Sequence, residues 1–227
     1  MPSDATRDVE HELLTRYDVV IGMDEVGRGA IAGPVVVGAC LVTGDEAPQP
    51  AGLRDSKLLS EKRRVALEPL VCRWAKSVGV GFASNDEVDA HGIIVGLRLA
   101  GMRALQQLDI PNGARVIVLL DGAHNWLTRS DDLFSPIDDA PYPDIEVPHV
   151  ATRVKADASC SVVAGASVVA KVRRDEWMKT VEDPGYDWAS NKGYSSAKHI
   201  DALRRLGVSP LHRRSWNLPG TGRAERA

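Results

Sequence analysis

The chain has 227 residues, 44% of them apolar, and a formal net charge of −3. That length supplies one sizeable core, or one domain with a helical appendage, and no apolar stretch reaches membrane-spanning length. Cys40, Cys72 and Cys160 are scattered and odd in number, with no Cys-x-x-Cys spacing. They give no sign of a zinc site or a disulfide scaffold and suit a reducing cytoplasm.

The start, Met1 to Leu14, is acidic and lacks a signal-peptide core. Residues 1–16 read as an N-terminal extension, 17–180 as the core and 181–227 as a C-terminal helical region and tail. Val19–Asp24 is a short, bounded β-branched run, the pattern of a buried strand, and Val35–Val42 lies close enough to be its antiparallel neighbour. Ser60 can cap a helix running to about Lys76, with Leu67, Leu70, Val71 and Trp74 at helical spacing. Val78–Phe82 follows as a strand. Ser84 and Glu87 form a capping box for a helix to about Leu108, with Leu97, Met102 and Leu105 on its buried stripe. Val116–Leu120 is the most hydrophobic strand and is expected at the sheet centre. Residues 123–149 are polar, turn-rich and acidic (Asp131, Asp132, Asp138, Asp139), which predicts a surface excursion. Glu146–Val154 is expected as a strand. Ser159 or Ser161 then starts a helix, Val162–Val172, whose Ala164, Gly165, Ala166 and Ala170 allow close packing on the sheet.

The acids at the ends of these runs carry the chemistry. Asp24-Glu25 closes the first strand, Asp121 closes Val116–Leu120, and Asp157 follows the last strand. Acids at strand ends sit at the rim of an open sheet, where ligands usually bind. Any one of them has an ordinary reading as a turn former, Asp121-Gly122 above all. Four carboxylates with no Cys or His cluster suit a hard cation such as Mg²⁺ or Mn²⁺. Successive strand residues face opposite ways, so Glu25 is expected where the chain leaves the sheet. Gly27 and Gly29 permit that departure and leave backbone N–H groups open to a ligand. Residues 1–170 carry 16 Lys+Arg against 24 Asp+Glu, and residues 171–227 carry 12 against 7. A basic C-terminal quarter beside an acidic site suits a phosphate backbone guided to a metal centre.

Gly22-Met23-Asp24-Glu25-Val26-Gly27-Arg28-Gly29, then Gly33-Pro34-Val35-Val36, resembles the opening signature of type 2 ribonuclease H, ribonuclease HII. The resemblance continues through Asp55-Ser56-Lys57-Leu58-Leu59-Ser60, Leu120-Asp121-Gly122, Lys155-Ala156-Asp157 and Ala166 to Asp175. It closes with Lys192-Gly193-Tyr194 and Pro210-Leu211-His212-Arg213. These blocks stand in the family's order from about Tyr17 to Trp216.

The resemblance implies a ribonuclease H-like α/β fold: a five-stranded mixed sheet flanked by helices, with a C-terminal helical subdomain. It makes Asp24, Glu25, Asp121 and Asp157 the catalytic, metal-binding carboxylates, holding two divalent ions about 4 Å apart. It makes Gly27-Arg28-Gly29 the loop that contacts the ribose 2′-hydroxyl, the group that distinguishes RNA from DNA. Tyr194 matches the tyrosine that packs on the sugar at the RNA-to-DNA junction. Lys57, Lys171 and Arg174 match basic positions near phosphates or site acids. His212 matches a family block, with a structural part more in keeping than that of a base. His91-Gly92 departs from an Asn-bearing pattern. The implied activity is endonucleolytic cutting of the RNA strand of RNA–DNA hybrids and of DNA duplexes 5′ of single ribonucleotides, leaving 3′-hydroxyl and 5′-phosphate ends. Two alternatives are another nuclease of the same fold and a non-catalytic hybrid-binding module. The expected state is a monomer. The tail from Trp216 lacks the apolar-aromatic cluster by which many bacterial members engage a sliding clamp.

Overall fold

The computed structural model describes residues 4–129 and 139–221. Part of the acidic excursion, including Asp131, Asp132 and Asp138, and the end of the tail lie outside these residues. Helix α1 (Asp8–Leu14) precedes strands β1 (Val19–Val26) and β2 (Val35–Val42). A 3-10 turn at Ser56–Leu58 leads to α2 (Glu61–Trp74) and β3 (Ser77–Ala83). Then come α3 (Asn85–His91), α4 (Ile93–Leu105), β4 (Val116–Asp121) and β5 (His149–Arg153). The chain closes with α5 (Ala156–Ser159), α6 (Ser161–Thr180), α7 (Trp188–Asn191) and α8 (Ala197–Leu206).

The sheet order is β3-β2-β1-β4-β5. The β1–β2 and β2–β3 pairs are antiparallel, whereas β1–β4 and β4–β5 are parallel. This is the mixed five-stranded sheet expected. Its centre is β1 rather than Val116–Leu120, because β4 lies one place from the β5 edge. Strand alternation divides the core between two faces. Val19, Ile21 and Met23 pack with Leu97 and Leu105 of α4, while Val20 packs with Val162, Val163 and Val169 of α6 and with Leu67 and Val71 of α2. The approach of α6 is close because Gly38 leaves room: a Cβ there would collide with the Ala166 carbonyl.

Several boundaries differ from expectation, each for a local reason. The Ser84–Glu87 capping box is present, but the long helix breaks at Gly92, whose φ of 83° is outside the helical range. Leu70 is 39% exposed although its spacing fits the buried stripe. The expected strand Glu146–Val154 shortens to β5, and the expected helix Val162–Val172 lengthens to α6. No side chain at its N-cap, Cys160, caps that helix. Instead Glu10 of α1 is fully buried and accepts the Val162 N–H at 2.8 Å. The excursion is also less superficial than expected, since Trp126 and Leu127 join the α4-side core.

Candidate active site

The parallel pairing of β1 with β4 stops at Met23 and Leu120. The antiparallel pairing with β2 continues through Glu25↔Val37 to Val26↔Val36. Glu25 therefore stays within the strand, contrary to expectation, and only the β4-facing edge opens. There the Asp24 carboxylate accepts the Glu25 N–H at 2.8 Å. Asp24 shares the face of Val20 and Gly22, which turns it toward α6 and the hydroxyl of Ser167. Ser167 Oγ is also hydrogen-bonded to Ser56 Oγ at 2.8 Å.

Asp121 is the last residue of β4, and its Oδ1 accepts the N–H of Ala156 at 2.7 Å and of Asp157 at 3.4 Å. It thus also caps the single turn α5, which the chain enters through Lys155 in the left-handed region. The ordinary reading of Asp121, as a turn former, is the one these hydrogen bonds bear out. This contact draws Asp157 to the same rim, where Asp24 and Asp157 are each 4% exposed.

The four acids act on one another. Burial pushes the Asp24 carboxyl up to about 8; a Ser167 hydrogen bond opposes this, and the charges of Glu25 and Asp121 add to it. Glu25 is raised by burial and by Asp121, against the pull of Arg28. Asp157 is raised by burial, then by Asp121 and Asp55, with Lys57 opposing. The facing cation, Lys57, has Nζ 3.5 Å from Asp157 Oδ2 and a side chain 72% exposed, too solvated to neutralise the group. Among the described residues no three of His, Cys, Asp or Glu converge closely enough to hold one ion. The donor set nevertheless fits a hard divalent cation: oxygens only, concentrated at one rim, mutually repelling and short of positive charge.

Beside the acids lies a cavity of about 220 Å³ lined by Asp24, Glu25, the Gly27–Gly29 loop, Lys57, Lys171 and Tyr194. Asp121 and Asp157 stand outside its lining. Gly27 has φ of 81° and a Cβ there would strike the Arg174 guanidinium, so no other residue fits. Its N–H donates to the Tyr194 hydroxyl at 3.1 Å. Behind the loop, Arg213 donates to the carbonyls of Gly27 at 2.7 Å and Arg28 at 2.8 Å. In a planar trans peptide the carbonyl and the following N–H point opposite ways, so the N–H groups of Arg28 and Gly29 turn away from Arg213.

The ribonuclease HII family model matches residues 21–218. The chain belongs to the ribonuclease HII family. It is 43% identical to ribonuclease HII of Streptomyces avermitilis over 215 residues, covering 93% of this chain and 83% of that protein. It is 42% identical to that of Jannaschia sp. over 211 residues, covering 92% and 93%. The crystal structure of ribonuclease H2 from Pyrococcus horikoshii has the same fold, with a TM-score of 0.61 at 23% identity over 88% of this chain and 94% of that one. A ribonuclease HIII solved in complex with Mn²⁺ superposes with a TM-score of 0.60 at 20% identity, covering 92% and 70%. The protein is a ribonuclease H with the fold expected from its sequence.

Within this ribonuclease HII, Arg174 departs from the role expected of it. It is fully buried and donates to the carbonyls of Pro34, Lys192 and Ala32, so it braces the loop and is out of reach of a phosphate. Its guanidinium lies 5.3 Å from the Tyr194 ring. Lys171 sits over the same ring at 5.8 Å and pairs with Asp175 at 2.7 Å. Ser56, Ser167 and Arg213 received no part in the sequence reading. All three stand within the blocks that carried the resemblance, yet nothing local in the sequence tells that Ser167 reaches Asp24, Ser56 reaches Ser167 and Arg213 reaches the Gly27 carbonyl.

Proposed function

We infer that this ribonuclease HII cuts the RNA strand of RNA–DNA hybrids and cuts DNA duplexes on the 5′ side of an embedded ribonucleotide. The observation that carries the reading is the junction of two unlike parts: a rim of four mutually repelling carboxylates, and a braced glycine loop whose Gly27 N–H meets the Tyr194 hydroxyl. Asp24, Glu25, Asp121 and Asp157 would hold two Mg²⁺ or Mn²⁺ ions. When bound, such ions supply an activated water and offset charge on the phosphorus oxygens and the leaving O3′, which leaves 3′-hydroxyl and 5′-phosphate ends.

The rest of the work belongs to the chain. Gly29 has no atom within 4 Å of a would-be Cβ, which lets a ribose come close to the backbone there. The outward N–H groups of the loop are suited to the ribose 2′-hydroxyl. Tyr194, 36% exposed with its hydroxyl tied down, presents its ring to the deoxyribose on the 3′ side. Lys57 and Lys171 would meet backbone phosphates, and the basic region 171–227 would guide the duplex to the acid rim. The three free thiols support a reducing cytoplasm as the place of work, and a monomer is sufficient for every contact described. Among the described residues no helix is long and apolar enough to cross a membrane.

The test is cleavage of a DNA duplex carrying one ribonucleotide, with Mg²⁺ or Mn²⁺, by the wild type, Asp24→Asn and Tyr194→Ala. One cut 5′ of the ribonucleotide, abolished by Asp24→Asn and weakened by Tyr194→Ala, is the expected result. Binding that survives EDTA with no cutting in either metal would instead mark a hybrid-binding module.

A further inference from the structure

Behind Tyr194 two histidines are fully buried, and their proton positions follow from their partners. The Ser209 N–H donates to His212 Nδ1 at 3.0 Å. A ring nitrogen that accepts carries no proton, so neutral His212 bears its proton on Nε2. His212 Nε2 lies 3.0 Å from His199 Nε2, which must then accept. The Trp188 indole N–H also points at that nitrogen, at 3.4 Å. The His199 proton is therefore on Nδ1, which donates to the Tyr194 carbonyl at 2.9 Å. Burial holds both rings toward the neutral form, His212 down to about 4, as the chain of single donors requires.

We propose that His199 and His212 form a one-directional hydrogen-bond relay that positions Tyr194 for reading the sugar at the RNA–DNA junction. Tyr194 is fixed at both ends: its carbonyl by His199 and by the Ser196 N–H at 2.8 Å, its hydroxyl by the Gly27 N–H. The relay starts where the chain also braces the loop, since Arg213, next to His212, holds the Gly27 and Arg28 carbonyls. Residues 212 and 213 thus set the spacing between the ribose-contacting loop and the junction-reading ring. The histidines are positioning residues: His199 is hydrogen-bonded to His212, Trp188 and Tyr194, His212 to His199 and Ser209, and neither to a carboxylate among the described residues. Tyr186 keeps their geometry, its ring centroid 4.8 Å from His212 and 5.7 Å from His199.

The inference rests on the junction role of Tyr194 given above, so the experiment carries Tyr194→Ala as a comparator. The readout is the cleavage ratio of a single-ribonucleotide duplex to an uninterrupted hybrid. An asparagine amide at position 199 sits near the Nδ1 position and keeps a donor on the Tyr194 carbonyl. A glutamine amide reaches the Nε2 position and leaves that carbonyl one donor short. The expected result is a fall in the ratio of about five- to tenfold for His199→Gln, the size of one buried hydrogen bond, in the same direction as Tyr194→Ala. His199→Asn should recover the ratio to within about twofold. If Tyr194→Ala lowers the ratio and both His199 variants leave it unchanged, the relay is overturned while the tyrosine keeps its role. If Tyr194→Ala itself leaves the ratio unchanged, the reading of Tyr194 falls and the inference with it. Nitrogen-15 shifts of the wild-type imidazoles test the relay without a variant. Protons on His199 Nδ1 and His212 Nε2 are expected; the opposite tautomer at either ring overturns the proposal.

Discussion

The acid rim and the arginine brace both bury charge, and they satisfy it in opposite ways. Arg174 and Arg213 are fully buried with no salt-bridged carboxylate among the described residues, yet each guanidinium is spent on main-chain carbonyls: Pro34, Lys192 and Ala32 for one, Gly27, Arg28 and Gly33 for the other. Burial and the neighbouring Arg174 lower Arg213 only to about 10, so it stays cationic at neutral pH. The acids instead lie against one another, with local N–H partners, the Ser167 hydroxyl and two solvated cations, Lys57 and Arg28. A satisfied buried charge fixes a shape; an unsatisfied cluster stores a demand for a cation.

The largest expected effect breaks the acid side. Asp24→Asn should lower cleavage by about a thousandfold or more, since a lost cation ligand removes several kcal/mol of charge stabilisation. The same substitution should make the metal-free protein more stable. A carboxyl whose folded pKa, about 8, lies above the ordinary aspartate value of 3.8 binds its proton more tightly in the folded chain. Stability from this group is therefore greatest below the lower value and falls as pH rises across that window. Melting temperatures of metal-free wild type and Asp24→Asn should diverge from acid to pH 8, each 1 kcal/mol recovered being worth about 2–4 °C.

Breaking the arginine side should do the reverse. Arg213→Met removes the guanidinium from the Arg28 and Gly33 carbonyls and leaves the Gly27 carbonyl only the Ala30 N–H, and should cost about 2–4 kcal/mol in denaturant unfolding, whatever metal is present. The loop glycines sharpen the comparison at smaller scale. Gly27→Ala meets a left-handed φ and the Arg174 guanidinium and should lose about 2 kcal/mol or more of stability. Gly29→Ala meets nothing in the protein, so it should unfold within about 0.5 kcal/mol of wild type. Its cleavage should still fall about tenfold, the effect of a 1–2 kcal/mol clash with an approaching ribose.

The same contrast explains what was legible in the sequence. Strand runs such as Val19–Asp24 and Val116–Leu120 and the Ser84–Glu87 capping box are written locally, in β-branched alternation and cap chemistry, and the structure has them. The family blocks located the acids, the loop and Tyr194. Long-range satisfaction was not legible. Arg174 reads as a cation near phosphates or site acids until Pro34, Ala32 and Lys192 are folded around it. Glu10, in an acidic start that reads as an extension, becomes the cap of α6 across 152 residues. The split at Gly92 was legible only in part, because glycine weakens a helix without dictating where it breaks. The centrality of β1 over β4 depended on pairing order, which hydrophobicity alone does not specify.

The most direct measurement is calorimetric titration of the metal-free protein with Mn²⁺ at pH 6 and pH 8, repeated in buffers of different ionisation enthalpy. The account predicts two bound ions, weaker binding at the lower pH and release of protons from the carboxylates, with the proton release sharply reduced in Asp24→Asn. Affinity independent of pH, or the same proton release from wild type and Asp24→Asn, would contradict it.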